Sequence, residues 1–277
     1  MMRVFVTGAT GYIGSAVVGE LINAGHKVVG LARSDNGTSV LKAAGAEVHF
    51  GALDDLESLR SAAATADGVI HLAFKHDFSD FAGSLKTDLR AVETLGAALK
   101  GSGKPFVITA HANGTASENV VLELAEHRVR TSIVSLAPSV HGEGDKGFVP
   151  RLINIAREKG VSAYVGDGSN RWTAVHRLDA AHLFRLALEK APAGSQLDGV
   201  ADEEVPFRDI ASVIGKHLDV PVVSIPREQA NVHFGFLGTI AALDIPRSSA
   251  ETQELLGWRP VHPELIPDLE QGHYFNR

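Results

Sequence analysis

The chain has 277 residues, 44 % hydrophobic and 21 % charged, which excludes a disordered polymer and allows a sizeable buried core. Its net charge of −7 offers no basic field for nucleic acid or an anionic membrane surface, so neither is expected as a partner. With no cysteine, disulfides, thiolate nucleophiles and cysteine-based zinc sites are excluded.

The first residues run directly into a strand pattern at residues 4–7, with no signal-peptide pattern ahead of it, and a cytoplasmic location is the expectation. Residues 13–24 place Ile13, Ala16, Val17 and Leu21 at helical spacing. Strands are predicted at 26–32, 47–50, 68–72, 106–109 and 131–136. Helices are predicted at 40–44, 56–63, 85–99 and 117–126. Asp54 and Asp55 suit the positive N-terminal end of the helix at 56–63, and Lys100-Gly101 close the long helix before them. Short apolar strands alternating with helices predict an α/β fold, a doubly wound parallel sheet covered on both faces.

After Pro138 the rhythm changes. Glycine-rich loops are predicted at 142–147 and 166–168, and helices at 149–159, 178–189, 207–217 and 248–256. The longest apolar run, 234–243, carries glycine and is too short to span a bilayer. Residues 1–140 are therefore expected to form the α/β sheet domain, and residues 141–277 to supply mostly lobe segments packed on the same structural unit.

The strongest motif is Thr7-Gly8-Ala9-Thr10-Gly11-Tyr12-Ile13-Gly14, lying between the first strand and the first helix. Gly8 permits a tight turn, Gly11 lets a diphosphate approach the backbone, and Gly14 lets the helix pack close to the sheet. The helix start then offers free N–H groups and partial positive charge. An acidic residue some 20 positions on would read the ribose hydroxyls of NAD, but the second strand ends in Arg33-Ser34. A guanidinium there suits a 2′-phosphate, with Ser34 adding a hydrogen bond, and this favours NADP. The other reading leaves Arg33 solvated and gives the ribose of NAD to Asp35.

The order of motifs resembles the extended or atypical short-chain dehydrogenase/reductases, the group of the NAD-dependent epimerase/dehydratase proteins. The resemblance rests on the glycine motif, on Gly51-Ala52-Leu53-Asp54-Asp55, and on His71-Leu72-Ala73. It continues through the 136–144 segment Leu-Ala-Pro-Ser-Val-His-Gly-Glu-Gly and the 171–179 segment Arg-Trp-Thr-Ala-Val-His-Arg-Leu-Asp. It implies a Rossmann sheet of about seven strands with a small C-terminal α/β substrate lobe. By the same resemblance, Gly8, Gly11, Tyr12, Ile13 and Gly14 would bind the pyrophosphate and Arg33 the ribose phosphate. Leu53 and Asp54 would lie beside the adenine, Leu72 and Ala73 beside the nicotinamide ribose, and Pro138 and Val140 beside the nicotinamide. Thr109 stands where the family carries an active-site Ser or Thr. Trp172 and His176 would face the substrate.

One departure bears on the chemistry. The family's reductases carry Tyr-x-x-x-Lys on the helix after the fifth strand, the tyrosine to move a proton and the lysine to lower its pKa. Here Gly114 and Glu118 fall at those two places, and none of the three tyrosines, Tyr12, Tyr164 and Tyr274, lies in that helix. The segment 110–116 is also shorter than the family's active-site loop. One reading is a loop lost between Thr109 and Ser117; an unbroken Cα spacing of about 3.8 Å would count against it.

His111 is the nearest acid–base group to the end of the fifth strand, its other reading being a solvated loop residue. His176 either donates to substrate or stabilises the lobe. Arg177 and Asp179 read as a structural ion pair. The thirteen histidines show no zinc-type spacing with carboxylates, so no metal site is expected. The 142–147 loop reads as mobile, and Phe234, Phe236 and Leu237 as packing or an oligomer contact, in a monomer or homodimer. Two functions follow. One is an NADP-linked (or NAD-linked) oxidoreductase or epimerase-like enzyme acting on a small carbonyl or hydroxyl substrate, with catalytic candidates Thr109, His111 and His176. The other is a non-catalytic NADP(H)-binding protein that senses redox state or engages a partner.

Overall fold

The computed structural model describes residues 1–77, 80–110 and 115–276. Its elements run β1 (Arg3–Thr7), α1 (Tyr12–Asn23), β2 (Lys27–Ala32), α2 (Asp35–Ala43), β3 (Glu47–Phe50) and α3 (Leu56–Thr65). They continue with β4 (Gly68–His71), α4 (Phe81–Leu99), β5 (Pro105–Thr109), α5 (Ala116–Glu126), β6 (Arg130–Leu136) and β7 (Ser139–His141). Then come α6 (Phe148–Lys159), β8 (Ser162–Val165), β9 (Arg171–His176), α7 (Arg177–Lys190), β10 (Ser195–Gly199) and β11 (Asp202–Pro206). The last elements include α8 (Phe207–Leu218), β12 (Val222–Ile225), α9 (Ala230–Phe234), α10 (Gly238–Ala241), α11 (Ala250–Leu256) and α12 (Leu265–Glu270).

The backbone divides into two compact units. The first comprises Met1–Ser135, Ala180–Leu197 and Glu251–Trp258. It is built on a seven-stranded sheet in the order β10-β6-β5-β4-β1-β2-β3, with β3, β2, β1, β4, β5 and β6 pairing in parallel. This is the Rossmann arrangement. The seventh strand comes from far along the chain, at Ser195–Gly199, where the sequence pattern showed none.

Alternation along β1 explains the two-sided burial. Phe5 joins a core with Leu59, Ala63, Leu95, Val121 and Ile133, which seats α3, α4 and α5. Val4 and Val6 are equally buried but point the other way, as the period of two in a strand requires. Around α1, Arg185 of α7 donates to Glu20 at 2.7 Å and to Glu189 at 3.1 Å, tying the two helices. Glu189 also lies 2.8 Å from the His26 ring.

Several predicted boundaries move outward because caps lie upstream of the apolar pattern. Helix α2 starts at Asp35, not at 40, because the Ser34 hydroxyl accepts from the Gly37 amide at 3.2 Å. Helix α4 starts at Phe81, where Asp80 caps it through the Gly83 amide at 2.9 Å.

The second unit comprises Leu136–Asp179, Asp198–Ala250 and Arg259–Arg277, of which residue 277 lies outside the described residues. It holds a three-stranded sheet in the order β11-β9-β7 and the parallel pair β12-β8. Trp172, Phe207, Ile210, Leu237, Leu265 and Leu269 form its core. The stretch 142–147, read from sequence as mobile, is anchored instead. The Gly142 amide donates to the Tyr274 hydroxyl at 2.9 Å, and buried Asp145 takes the Gly147 amide at 2.6 Å and the Tyr274 hydroxyl at 3.1 Å. Among the described residues, no helix is long and apolar enough to cross a membrane.

Candidate functional site

In the first unit, the turn from β1 into α1 has no room for a Cβ at Gly8 or Gly14. Gly8 sits at φ +67°, and a Cβ there would lie 2.7 Å from the Ala73 nitrogen and from the Leu72 carbonyl carbon. A Cβ on Gly14 would lie 2.0 Å from the Gly8 carbonyl oxygen, and one on Gly11 3.1 Å from it. The Gly11 amide donates back to that oxygen at 2.9 Å, closing the turn. Gly11 is the N-cap of α1, extended at φ −74° and ψ 173°, with no side-chain cap and no acidic residue in the first turn. By contrast α2, α3 and α4 are each capped, by Ser34, Asp55 and Asp80. The start of α1 thus turns its main-chain N–H end and positive dipole outward with no side-chain cap, the arrangement that receives a phosphate. Thr10 and Gly11 are exposed beside it, and Tyr12 and Ile13 half-buried.

Around this cradle, Arg33 is exposed at the exit of β2, and Ser34 uses its oxygen to cap α2. Asp35, the other candidate for the ribose, lies in the first turn of α2. Leu53 is a core residue, whereas Asp54 is exposed and pairs with Lys75 at 3.1 Å. The Lys75 hydrogen bond holds the Asp54 carboxyl below its ordinary range. The Leu72 and Ala73 amides both donate to the Thr7 hydroxyl, at 3.2 Å each, so the exit of β4 is fastened to the phosphate turn. Thr109 ends β5, and its hydroxyl is buried with no hydrogen-bond partner among the described residues. A buried orphan hydroxyl is costly to folding unless something else, such as a ligand oxygen, engages it.

His111 and Gly114 lie outside the described residues, as does most of the segment on which a lost loop would be judged. Glu118 has a local reason to be where it is. It stands three residues after Thr115, the N-cap of α5, and its carboxylate receives that residue's hydroxyl at 3.3 Å, side chain to side chain.

In the second unit, strand register brings a set of histidines together. β7 pairs in parallel with β9, so His141 is register partner of His176, and their rings meet edge to face at 5.4 Å. His141 is fully buried; its Nδ1 lies 2.8 Å from Asp268, and its Nε2 has no partner among the described residues. His176 stacks on His262. Burial, then the neighbouring His141 and His262, push the His176 imidazole down to about 4. Its Nδ1 accepts the Leu178 amide at 3.3 Å.

Asp179 takes the amides of Val261 and His262, both at 3.0 Å, and lies 2.8 Å from the His262 ring. His176, Asp179 and His262 thereby offer ligand-type atoms within 4.8 Å of one another. Face-to-face rings and a carboxylate already filled by backbone amides describe an anchor for the 261–262 turn. Spacing along the chain gave no hint of this group, because His262 lies 83 residues beyond Asp179. The Arg177 guanidinium also reaches the Glu143 carbonyl at 3.0 Å.

Trp172 is a correction. It was expected to face substrate, but it is wholly enclosed between Phe148 and Phe207, and its indole N–H donates to the Ile240 carbonyl at 3.2 Å. The apolar ring is worth more to this core than at a wet surface. Pro138 and Val140 are half-buried, just before and within β7. Sequence reasoning also gave no role to His71, although it opens the His71-Leu72-Ala73 motif, nor to Asp88 and Ser117.

Comparison with known proteins agrees with this geometry. Residues 4–110 match the model of the NAD dependent epimerase/dehydratase family. An uncharacterized protein of Schizosaccharomyces pombe is 47 % identical over 295 residues, covering 99 % of this chain and all of that protein. The alignment is longer than the 277 residues of this chain, so that relative carries residues with no counterpart here. A 2-alkyl-3-oxoalkanoate reductase of Stenotrophomonas maltophilia is 27 % identical over 280 residues, covering 87 % of this chain and 82 % of that protein. The crystal structure of UDP-glucose 4-epimerase from Thermotoga maritima superposes with a TM-score of 0.75 at 19 % identity, covering 99 % of this chain and 98 % of that one.

Proposed function

We propose that this chain, which belongs to the NAD-dependent epimerase/dehydratase family, is an NADP(H)-linked oxidoreductase or epimerase acting on a small carbonyl or hydroxyl substrate. The observation that carries the reading is the start of α1: a turn with no space for a Cβ at Gly8 or Gly14, opening onto a helix end without a side-chain cap. Gly8, Thr10, Gly11, Tyr12, Ile13 and Gly14 would hold the diphosphate, Arg33 and Ser34 the 2′-phosphate, and Leu53 and Asp54 the adenine side. Leu72 and Ala73 would wall the nicotinamide ribose. Bound there, the nicotinamide supplies a hydride donor or acceptor. The Thr109 hydroxyl, buried and lacking a partner among the described residues, would hydrogen-bond a substrate oxygen. The reductase name of the Stenotrophomonas relative supports a carbonyl substrate.

Titration calorimetry with NADPH and NADH, followed by turnover with aldehydes, ketones and sugar nucleotides, tests the reading. Saturable NADPH binding with turnover of one substrate class is expected. No heat with either nucleotide at millimolar concentration would end it.

A second reading rests on Glu118. The family's lysine position carries a carboxylate here, engaged with the cap of α5. On this reading the protein binds NADP(H) and reports it without chemistry, and tight binding without turnover across the panel is the outcome that would favour it.

A further inference from the structure

Beneath the phosphate turn runs a chain of four buried polar side chains drawn from β1, β4, α4 and α5. Thr7, His71, Asp88 and Ser117 are each at most 3 % exposed. The Thr7 hydroxyl lies 2.7 Å from His71 Nδ1, and His71 Nε2 lies 3.2 Å from Asp88 Oδ1. Ser117 donates to Asp88 Oδ2 at 2.6 Å.

Hydrogen-bond counting sets the direction of the chain. The Thr7 oxygen accepts from both the Leu72 and the Ala73 amide, which fills its lone pairs. Its hydrogen therefore goes to His71 Nδ1. That places the imidazole hydrogen on Nε2, from which it is donated to Asp88, and the second carboxylate oxygen takes Ser117. Such a network is costly to bury half-satisfied and rigid when complete.

The ladder between β1 and β4 ends at the pair Thr7 and His71. Past that pair the Leu72 amide still reaches the Thr7 carbonyl at 3.3 Å, and the Thr7 hydroxyl shares that amide and extends the attachment to the Ala73 amide. Those amides belong to the residues against which Gly8 packs. The network is closed at the Thr7 end, since every site on that oxygen is used, so it has no outlet for a proton and acts as a clamp.

We propose that His71 and Asp88 are positioning residues that lock the first turn of α5 to the phosphate turn and the 72–73 strand exit. They hold the main-chain donors and the ribose wall at the spacing a dinucleotide requires. This rests on the dinucleotide reading above.

The test is NADPH affinity in Ser117→Ala, Ser117→Thr, His71→Asn and the double variant Ser117→Ala/His71→Asn, with folding checked by circular dichroism. Ser117 caps the far end of the chain, so its loss should weaken NADPH binding about fivefold. Ser117→Thr, which keeps the hydroxyl, should restore it. His71→Asn keeps an acceptor for Thr7 but loses the donor to Asp88, so Ser117→Ala should cost nothing more in that background. A purely structural role would lower Tm and leave affinity alone. If His71→Asn does not fold, the Ala and Thr variants of Ser117 decide, together with the histidine tautomer read from long-range 1H–15N spectra of the wild type. NADPH binding that ignores Ser117, effects that multiply in the double variant, or hydrogen on Nδ1 of His71 would each overturn the clamp alone. Wild-type protein that binds no pyridine nucleotide would overturn the proposed function and the clamp with it.

Discussion

The imidazole of His176 lies flat on that of His262, with ring centroids 4.8 Å apart and planes 12° from parallel. Burial disfavours a proton on His176, which would also sit against His141 and His262, partly offset by Asp268 and Asp179. His176 is accordingly held neutral, down at about 4 from an ordinary 6.5. In the unfolded chain it titrates near 6.5, so between these values the unfolded state binds a proton that the folded state refuses. The His176 contribution to stability is therefore full above about pH 6.5 and is lost as pH falls toward 4. Urea melts at a series of pH values should show this decline, and His176→Asn should flatten it. An identical slope in the variant would remove His176 from the account.

Thr109→Val separates stability from activity. It removes a buried hydroxyl without a partner among the described residues at nearly constant shape, so stability should hold or rise by up to about 1 kcal/mol. Turnover should fall about tenfold to a hundredfold if that hydroxyl meets the substrate oxygen. Thermal melts beside steady-state kinetics read both quantities, and unchanged turnover would assign Thr109 to the scaffold.

Arg33→Ala addresses cofactor choice. The guanidinium is exposed at the exit of β2, free to meet a 2′-phosphate by charge and fork geometry. Affinity for NADPH should drop about tenfold or more, while NADH changes little. Equal losses for both nucleotides, seen by calorimetry, would count against a phosphate reader.

Two alanine substitutions in α1 should act in opposite directions. Gly19→Ala meets nothing within 4 Å and should stabilise the helix by about 0.5–1 kcal/mol. Gly14→Ala puts a carbon 2.0 Å from the Gly8 oxygen, so the helix must shift. That should cost about 1–3 kcal/mol and abolish tight dinucleotide binding. Differential scanning fluorimetry with and without NADPH distinguishes the pair.

Six strands of the first unit's sheet were legible as short, mostly apolar runs bounded by turn residues, the Ser-Gln-Leu-Asp-Gly strand at Ser195–Gly199 was not, and the glycine triplet marked the cradle by spacing alone. Helix starts were less legible, since Ser34 and Asp80 precede any apolar repeat. The strands of the second unit escaped notice for a different reason. Asp202–Pro206 reads Asp-Glu-Glu-Val-Pro, and only its pairing with β9, interrupted by a register shift, makes it a strand. Trp172 looked like a site residue because aromatic rings serve both cores and clefts, and no pattern along the chain tells the two apart. The histidine group and the Thr7-to-Ser117 chain join residues tens of positions apart, and only the folded backbone brings them within reach.

The Gly14 backbone already presses on the Gly8 carbonyl, so this corner of the molecule has little slack. Its amides are aligned before any visitor arrives, and the disorder they would otherwise surrender on complex formation has been lost during folding. Association at this corner should then be quick, governed by encounter more than by rearrangement, with a modest heat-capacity change set by the small apolar area covered.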